Sequence, residues 1–334
     1  MSTSAGARSG FPVAGFALAI GSAASFALSG TFASALMSAG WSPGAAATAR
    51  ITLAAIVLAI PTVIALRGRW SRVWRAKGPI LLFGLLAVAG CQLAFFMAVQ
   101  FIPPSLALLI EFMGPVLLVL WTWVRSRVAP SKLTLLGAAV AVVGLVAISG
   151  LASGQTLNPL GILLALVAAI GNAAYFATGA SSDHGIPPLP FVGLGLSVGA
   201  VTLVIVSAVG VLPFTVTGAA AVIATVPLAP VVVVAGMVLI STVLSYLLGV
   251  AAARRLGAIV SSFTGYSEAL FGIFWTIVLL GIVPTGWQWL GAALIVAGVV
   301  TVRLGEVAGE RARAAADRRL LTAQVQQRGT SRTR

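Results

Sequence analysis

Charge is what this sequence has least of. Charged residues make up 8% of its 334 positions, against roughly a quarter in an ordinary soluble domain. A water-soluble globular fold is therefore excluded. Cysteine is nearly absent too: Cys91 stands alone inside an apolar block, which excludes an intrachain disulfide and a cysteine metal cluster. The one histidine, His184, sits in a short polar connection and reads as a solvated loop residue. An enzyme working within a membrane needs a nucleophile with its base, or a set of metal ligands, at membrane depth. One loop histidine and one cysteine do not supply them, so neither an enzyme nor a cofactor is expected. A net charge of +14 is a nucleic-acid signal only on a basic domain, and here Lys and Arg fall in short clusters between apolar blocks and in the tail, leaving no such domain to form a groove.

What is abundant is apolar. Hydrophobic residues make up 60% of the chain, and 37 glycines accompany them. The apolar residues run in blocks of about twenty, the length that crosses a bilayer as a helix, and the small residues suit close helix packing. Spans are expected at about 12–34, 45–66, 79–100, 103–124, 131–150, 157–180, 189–211, 228–251, 257–281 and 284–304. Breakers separate them: Ser42-Pro43-Gly44, Gly78-Pro79, Pro103-Pro104, Asn158-Pro159, Pro187-Pro188 and Pro284. Ala33-Ser34-Ala35 imitates a signal-peptide cleavage site, but the block before it is too long and its sequence recurs later as a membrane helix. Gly193-Leu194-Gly195 imitates the start of a dinucleotide loop, but it lies inside an apolar span with no strand before it.

Basic residues orient the spans. Arg67, Arg69, Arg72, Arg75 and Lys77 lie between spans two and three, Arg125, Arg127 and Lys132 between four and five, and Arg254 and Arg255 between eight and nine. Arg303 begins a tail holding seven more arginines. Placing all of these in the cytoplasm requires ten spans with both termini inside. The tail, about 305–334, has helical character from Glu306 to Gln327 and a disordered-looking end. It reads as a solvated, topology-fixing segment, with contact to anionic lipid as the sharper alternative.

The chain repeats itself. Ala19-Ile20-Gly21-Ser22-Ala23-Ala24-Ser25-Phe26-Ala27 in span one matches residues 169–177 in span six at seven of nine positions. The expected organisation is a cytoplasmic N-terminus (1–11), a first repeat (12–150, spans one to five), a second (157–304, spans six to ten) and the basic tail (305–334). Five spans per repeat is an odd number, so the copies must be inverted. Inverted repeats place a binding site near the midplane and let it open to either side. The fold class is thus an all-α polytopic membrane protein of two inverted five-helix repeats.

Two of the six acidic residues, Glu111 and Glu268, lie mid-span, in spans four and nine. Such charges face a cavity or a partner. Aligning the repeats sets Glu111 about three residues before the equivalent of Glu268, near one turn on the same face. They are candidates for binding a solute or exchanging a proton; the plain alternative is buried packing. Arg50 lies five or six residues inside the outer end of span two. It could pair with Glu111, grip a substrate carboxylate or snorkel to the surface. Gln92, Asn172, Tyr175 and Tyr246 are further candidates within spans, while Gln100, Ser245, Thr264 and Tyr266 read equally well as helix–helix glue. Gly21, Ser25 and Ser29 form a small-residue packing stripe, and Trp121, Trp123, Trp287 and Trp289 read as interface anchors.

The segment from Gln92 through Phe101-Ile102-Pro103-Pro104-Ser105-Leu106-Ala107 to Glu111-Phe112-Met113-Gly114-Pro115 resembles spans three and four of bacterial threonine/homoserine exporters, members of the EamA family in the drug/metabolite transporter superfamily. Arg50 after a small-residue helix start, and the Gln288…Gly291 stretch opening span ten, fit the same pattern, and the resemblance covers about 12–304. It implies ten helices in two EamA repeats, a central cavity, alternating access, and efflux of amino acids or related metabolites across the inner membrane, with proton exchange as the driving force it suggests. The sequence departs from the family at two points. Ala269, not proline, follows Glu268, which would leave span nine straighter, and Ile282, not glutamate, follows Gly281. Nucleoside- or sugar-derived metabolites and drugs are the alternative cargo. A membrane scaffold would leave the repeat and both carboxyls unexplained. The partners implied are a small solute, the lipid bilayer and protons; a homodimer is compatible with the composition.

Overall fold

The structure, a computed structural model, describes residues 13–102, 104–149, 158–182, 185–280 and 286–331. The expectations placed on residues 1–11, Pro103, His184, Pro284, the side chain of Gln288 and the last residues of the tail lie outside them. The described chain is almost wholly helical. Helix α1 is Val13–Ser38, α2 Pro43–Ala65, α3 Trp70–Arg75 and α4 Lys77–Ala98. Helices α5 (Pro104–Glu111) and α6 (Gly114–Ser126) form one interrupted run, followed by α7 (Lys132–Ser149), α8 (Pro159–Ala180) and α9 (Pro188–Ala208). The chain closes with α10 (Pro230–Leu256), a second interrupted run of α11 (Ala258–Thr264) and α12 (Ser267–Leu280), and α13 (Gly286–Ser331).

Eight of these runs are long and apolar enough to cross a bilayer: α1, α2, α4, α5–α6, α8, α9, α10 and Trp289–Gly309 of α13. The protein is therefore a multi-pass membrane protein. The segments expected as spans five and nine are α7, whose apolar part is shorter, and the broken pair α11–α12. The tail continues span ten without a break, since α13 runs 46 residues to Ser331.

The breakers act as helix starts. Ser42 accepts from the Ala45 amide at 3.2 Å with Pro43 at the first turn of α2, and Asn158 accepts from the Leu160 amide at 2.9 Å with Pro159 opening α8. Glycines let the helices close together. A Cβ on Gly137 would come 2.5 Å from the Val302 backbone, and one on Gly298 2.6 Å from that of Ala141, so α7 and α13 touch almost backbone to backbone. Within Gly193-Leu194-Gly195, Gly193 packs on Thr62 of α2 and Gly195 on Phe83 of α4.

Several helix contacts come in matched pairs. Helix α1 packs on α10 as α8 packs on α4; α1 packs on α12 as α8 packs on α5 and α6; α2 meets α9, α6 meets α11 and α7 meets α13. Exchanging the first half of the chain for the second leaves this pattern unchanged.

Two features were not expected from the sequence. Helices α4 and α10 each wind as π-helix part-way along, over Phe83–Gly90 and Leu239–Leu244. The connection between α9 and α10 holds a β-hairpin, β1 (Ala221–Ile223) antiparallel to β2 (Val226–Leu228), turning through Ala224 and Thr225 at φ 50° and 68°. The chain before the hairpin is tied to the α1–α2 turn. Trp41 Nε1 donates to the Thr217 carbonyl at 2.9 Å, Ser42 Oγ to that of Pro213 at 2.7 Å, and Thr217 Oγ1 to that of Ala39.

Candidate functional site

The two interrupted runs set the site. Pro115 has no amide hydrogen, so it cannot bond the carbonyl four residues back, that of Glu111. The Met113 amide instead reaches Ile110 at 2.9 Å, the turn tightens, and α5 ends on Glu111. The second run breaks at the related place with no proline, contrary to the straighter helix that Ala269 suggested. Gly265 carries the break. Tyr266, Glu268 and Ala269 donate to the residues three back, Phe263, Gly265 and Tyr266, at 3.1, 2.9 and 3.1 Å. The Thr264 carbonyl, four residues before Glu268, accepts instead from a side-chain hydroxyl, that of Ser267 at 2.7 Å. Glu111 is thus the last residue before one break and Glu268 the second residue of the helix after the other.

Both carboxyls line one cavity of about 870 Å³. The same cavity is lined by Arg50, Gln92, Asn172, Tyr175 and Tyr246, so every candidate taken from the sequence meets there. Of the residues read as helix–helix glue, Ser245 is buried and donates to the Ser241 carbonyl at 2.6 Å, Thr264 to that of Val260 at 2.7 Å, and Tyr266 packs on Phe112 and Phe263.

Arg50 does not snorkel: it is only 8% exposed, and its Nη1 donates to Ser29 Oγ, with Nε left unpartnered. Glu111 accepts from Cys91 Sγ at 3.3 Å, and that thiol also reaches the Ala168 carbonyl at 3.4 Å. Arg50 and both carboxyls face this one cavity. Asn172 Oδ1 is buried and unpartnered. It sits where a side chain on Gly114 would stand, 2.6 Å from that position, which is why the Glu-Phe-Met-Gly-Pro segment holds a glycine there.

Both π segments lie next to cavity residues: Cys91 and Gln92 come directly after the first, and Tyr246 is the second residue after the other. Shifted winding re-aims the side chains beyond it, a common role for π segments at functional sites. The cavity runs along α1 from Ala19 to Ser38 and reaches Pro43 of α2 and Val222 and Ile223 of the hairpin, whereas α8 supplies only Asn172, Tyr175 and Phe176. Two arginine–carbonyl bonds tie the chain before α9 to α3 and α10. Arg254 Nη1 donates to the Ile186 carbonyl at 2.6 Å, and Arg72 Nη1 to that of Gly185 at 3.1 Å.

Sequence reasoning missed Cys91, Ser29 and the aromatic lining residues Phe26 and Phe176. Ser29 was assigned to packing, and the phenylalanines carry no signal that separates a cavity wall from a core. The repeat could have flagged them, because Phe26 and Phe176 occupy the same place in the two matched segments.

The EamA-like transporter family model matches the chain twice, over residues 13–150 and 159–304. The chain belongs to the EamA-like transporter family. It is similar to the Uncharacterized inner membrane transporter YicL of Salmonella typhimurium (strain LT2), 25% identical over 241 residues, which cover 71% of this chain and 75% of the relative. A solved crystal structure of a protein 19% identical to this EamA-family chain superposes with a TM-score of 0.67, covering 87% of this chain and 97% of the other, a likeness of fold. As an EamA-family protein, the chain is a membrane transporter.

Proposed function

We propose that this EamA-family chain is an inner-membrane secondary transporter of ten spans in two inverted repeats, with both termini cytoplasmic, exporting amino acids such as threonine or homoserine. The matched helix contacts and the two repeat-related helix breaks support the inverted arrangement. The observation that carries the functional reading is one cavity holding Arg50, Glu111 and Glu268. A free amino acid presents one carboxylate and one ammonium. Arg50, with an unpartnered Nε, receives the carboxylate. Glu111 and Glu268 receive the ammonium or, between cycles, a proton, which couples export to proton entry. Breaks in membrane helices free backbone groups for the same task. Alternating access moves the opening from the end lined by α1 to the end tied by Arg72 and Arg254.

The test is export from cells loaded with single amino acids, with and without the chain, together with Glu111→Gln. Gln keeps the size and hydrogen bonding of Glu111 and removes its charge. Losing a charge-assisted contact of about 2 kcal/mol lowers export by roughly tenfold or more at unchanged membrane abundance. Full export by Glu111→Gln removes the carboxyl from the mechanism. If the unaltered chain exports no amino acid, the cargo is a drug or a nucleoside- or sugar-derived metabolite.

A further inference from the structure

The charged groups occupy one part of the cavity; another part of its wall is aromatic. Tyr175 stands at the centre of that wall, with Phe176 at 4.9 Å and 89°, Tyr246 at 5.5 Å and 87° and Phe26 at 6.3 Å and 83° between ring centroids and planes. Phe26 also meets Tyr246 at 5.1 Å, and Phe83, fully buried, backs Tyr175 at 5.6 Å. Rings packed edge to face in this way are fixed in place before anything binds. Tyr175 and Tyr246 are almost wholly covered, whereas Phe26 and Phe176 are half-buried and keep surface towards the cavity. Tyr246 lines the same cavity as Arg50, Glu111 and Glu268, so the wall and the charged cluster share one space.

We infer that Phe26 and Phe176 form a side-chain subsite that selects amino acids with large apolar, above all aromatic, side chains over threonine and homoserine. This rests on the proposed amino-acid export and narrows it. A zwitterion whose carboxylate and ammonium occupy the charged cluster still has one substituent to place. A hydroxyalkyl group is too small to cover two phenylalanine faces, and its hydroxyl finds no partner on them. An aromatic ring covers them and gains contact that water cannot replace. The repeat adds a second argument. Phe26 and Phe176 are equivalent residues of the two matched segments, so exchanging the roles of the repeats carries one phenylalanine to the place of the other. The subsite then persists in both access states.

The test uses the purified full chain in liposomes and measures counterflow of labelled phenylalanine, leucine, threonine and homoserine, alone and in competition. The expected result is phenylalanine exchange about tenfold or more faster than threonine, with leucine between them. Phe26→Ala and Phe176→Ala should each lower phenylalanine counterflow severalfold more than threonine counterflow, so that the ratio of the two rates falls; an unchanged ratio in both variants counts against the subsite. The wild-type competition needs no variant, so a misfolded variant does not obscure the answer. Threonine exchanged as fast as phenylalanine overturns the subsite and leaves amino-acid transport standing. No exchange of any amino acid overturns both.

Discussion

Gly249 illustrates how closely the site is built at the scale of single residues. A Cβ there would lie 2.0 Å from the Tyr175 hydroxyl and 2.8 Å from Ser22 Oγ. Gly249→Ala therefore has to push Tyr175 out of the aromatic wall, and overpacking of this kind costs about 1–3 kcal/mol. The expected outcome is a lower melting temperature for purified Gly249→Ala and weaker transport. Tyr175→Phe in the same chain should restore most of the stability, because it removes the clashing oxygen. A double variant no more stable than Gly249→Ala would show that the clash is relieved elsewhere. Glu111, Glu268 and Arg50 were legible in the sequence because a charge inside an apolar run is expensive and demands a reason. Phe26, Phe176 and Cys91 were not, because phenylalanine and cysteine are ordinary core residues and only their neighbours in space reveal what they line.

At the scale of elements, the interruption of the α5–α6 run depends on Pro115. Pro115→Ala supplies the amide hydrogen that the Glu111 carbonyl lacks and lets the helix run on. We predict that this variant melts at the same temperature or higher and transports severalfold more slowly, because Glu111 loses its place at a helix end. Unchanged transport would show that the break has no role. The second break shows the limit of reading motifs: the proline was absent, yet Gly265 and hydroxyl–carbonyl bonds interrupt the run at the related position. The π segments were illegible for a similar reason, since no residue type in Phe83–Gly90 or Leu239–Leu244 distinguishes π from α winding. The hairpin was hidden because Ala224-Thr225 occupies a turn at positive φ where Asn-Gly is the usual signal. The starts of α2 and α8 were legible, because Ser42-Pro43 and Asn158-Pro159 are caps by chemistry.

Across the whole molecule, the distribution of Lys and Arg makes a topological prediction. In a Cys91→Ala background, a single cysteine replacing Arg72 or Gly329 should resist an impermeant thiol reagent applied to intact cells. One replacing Ser38, near the wide end of the cavity, should react. Labelling at 72 or 329 from outside would reverse the orientation. In the proposed function the exported amino acid binds beside Glu111. The chain's own cysteine tests it most directly, because the Cys91 thiol donates to Glu111 at 3.3 Å and lines the same cavity. The decisive measurement is the rate at which a small thiol reagent alkylates Cys91 in the purified wild-type chain, with and without each exported amino acid. A transported amino acid should slow alkylation about tenfold or more at saturation, and Glu111→Gln should abolish this protection. An amino acid that is exported yet leaves the Cys91 rate unchanged would contradict it.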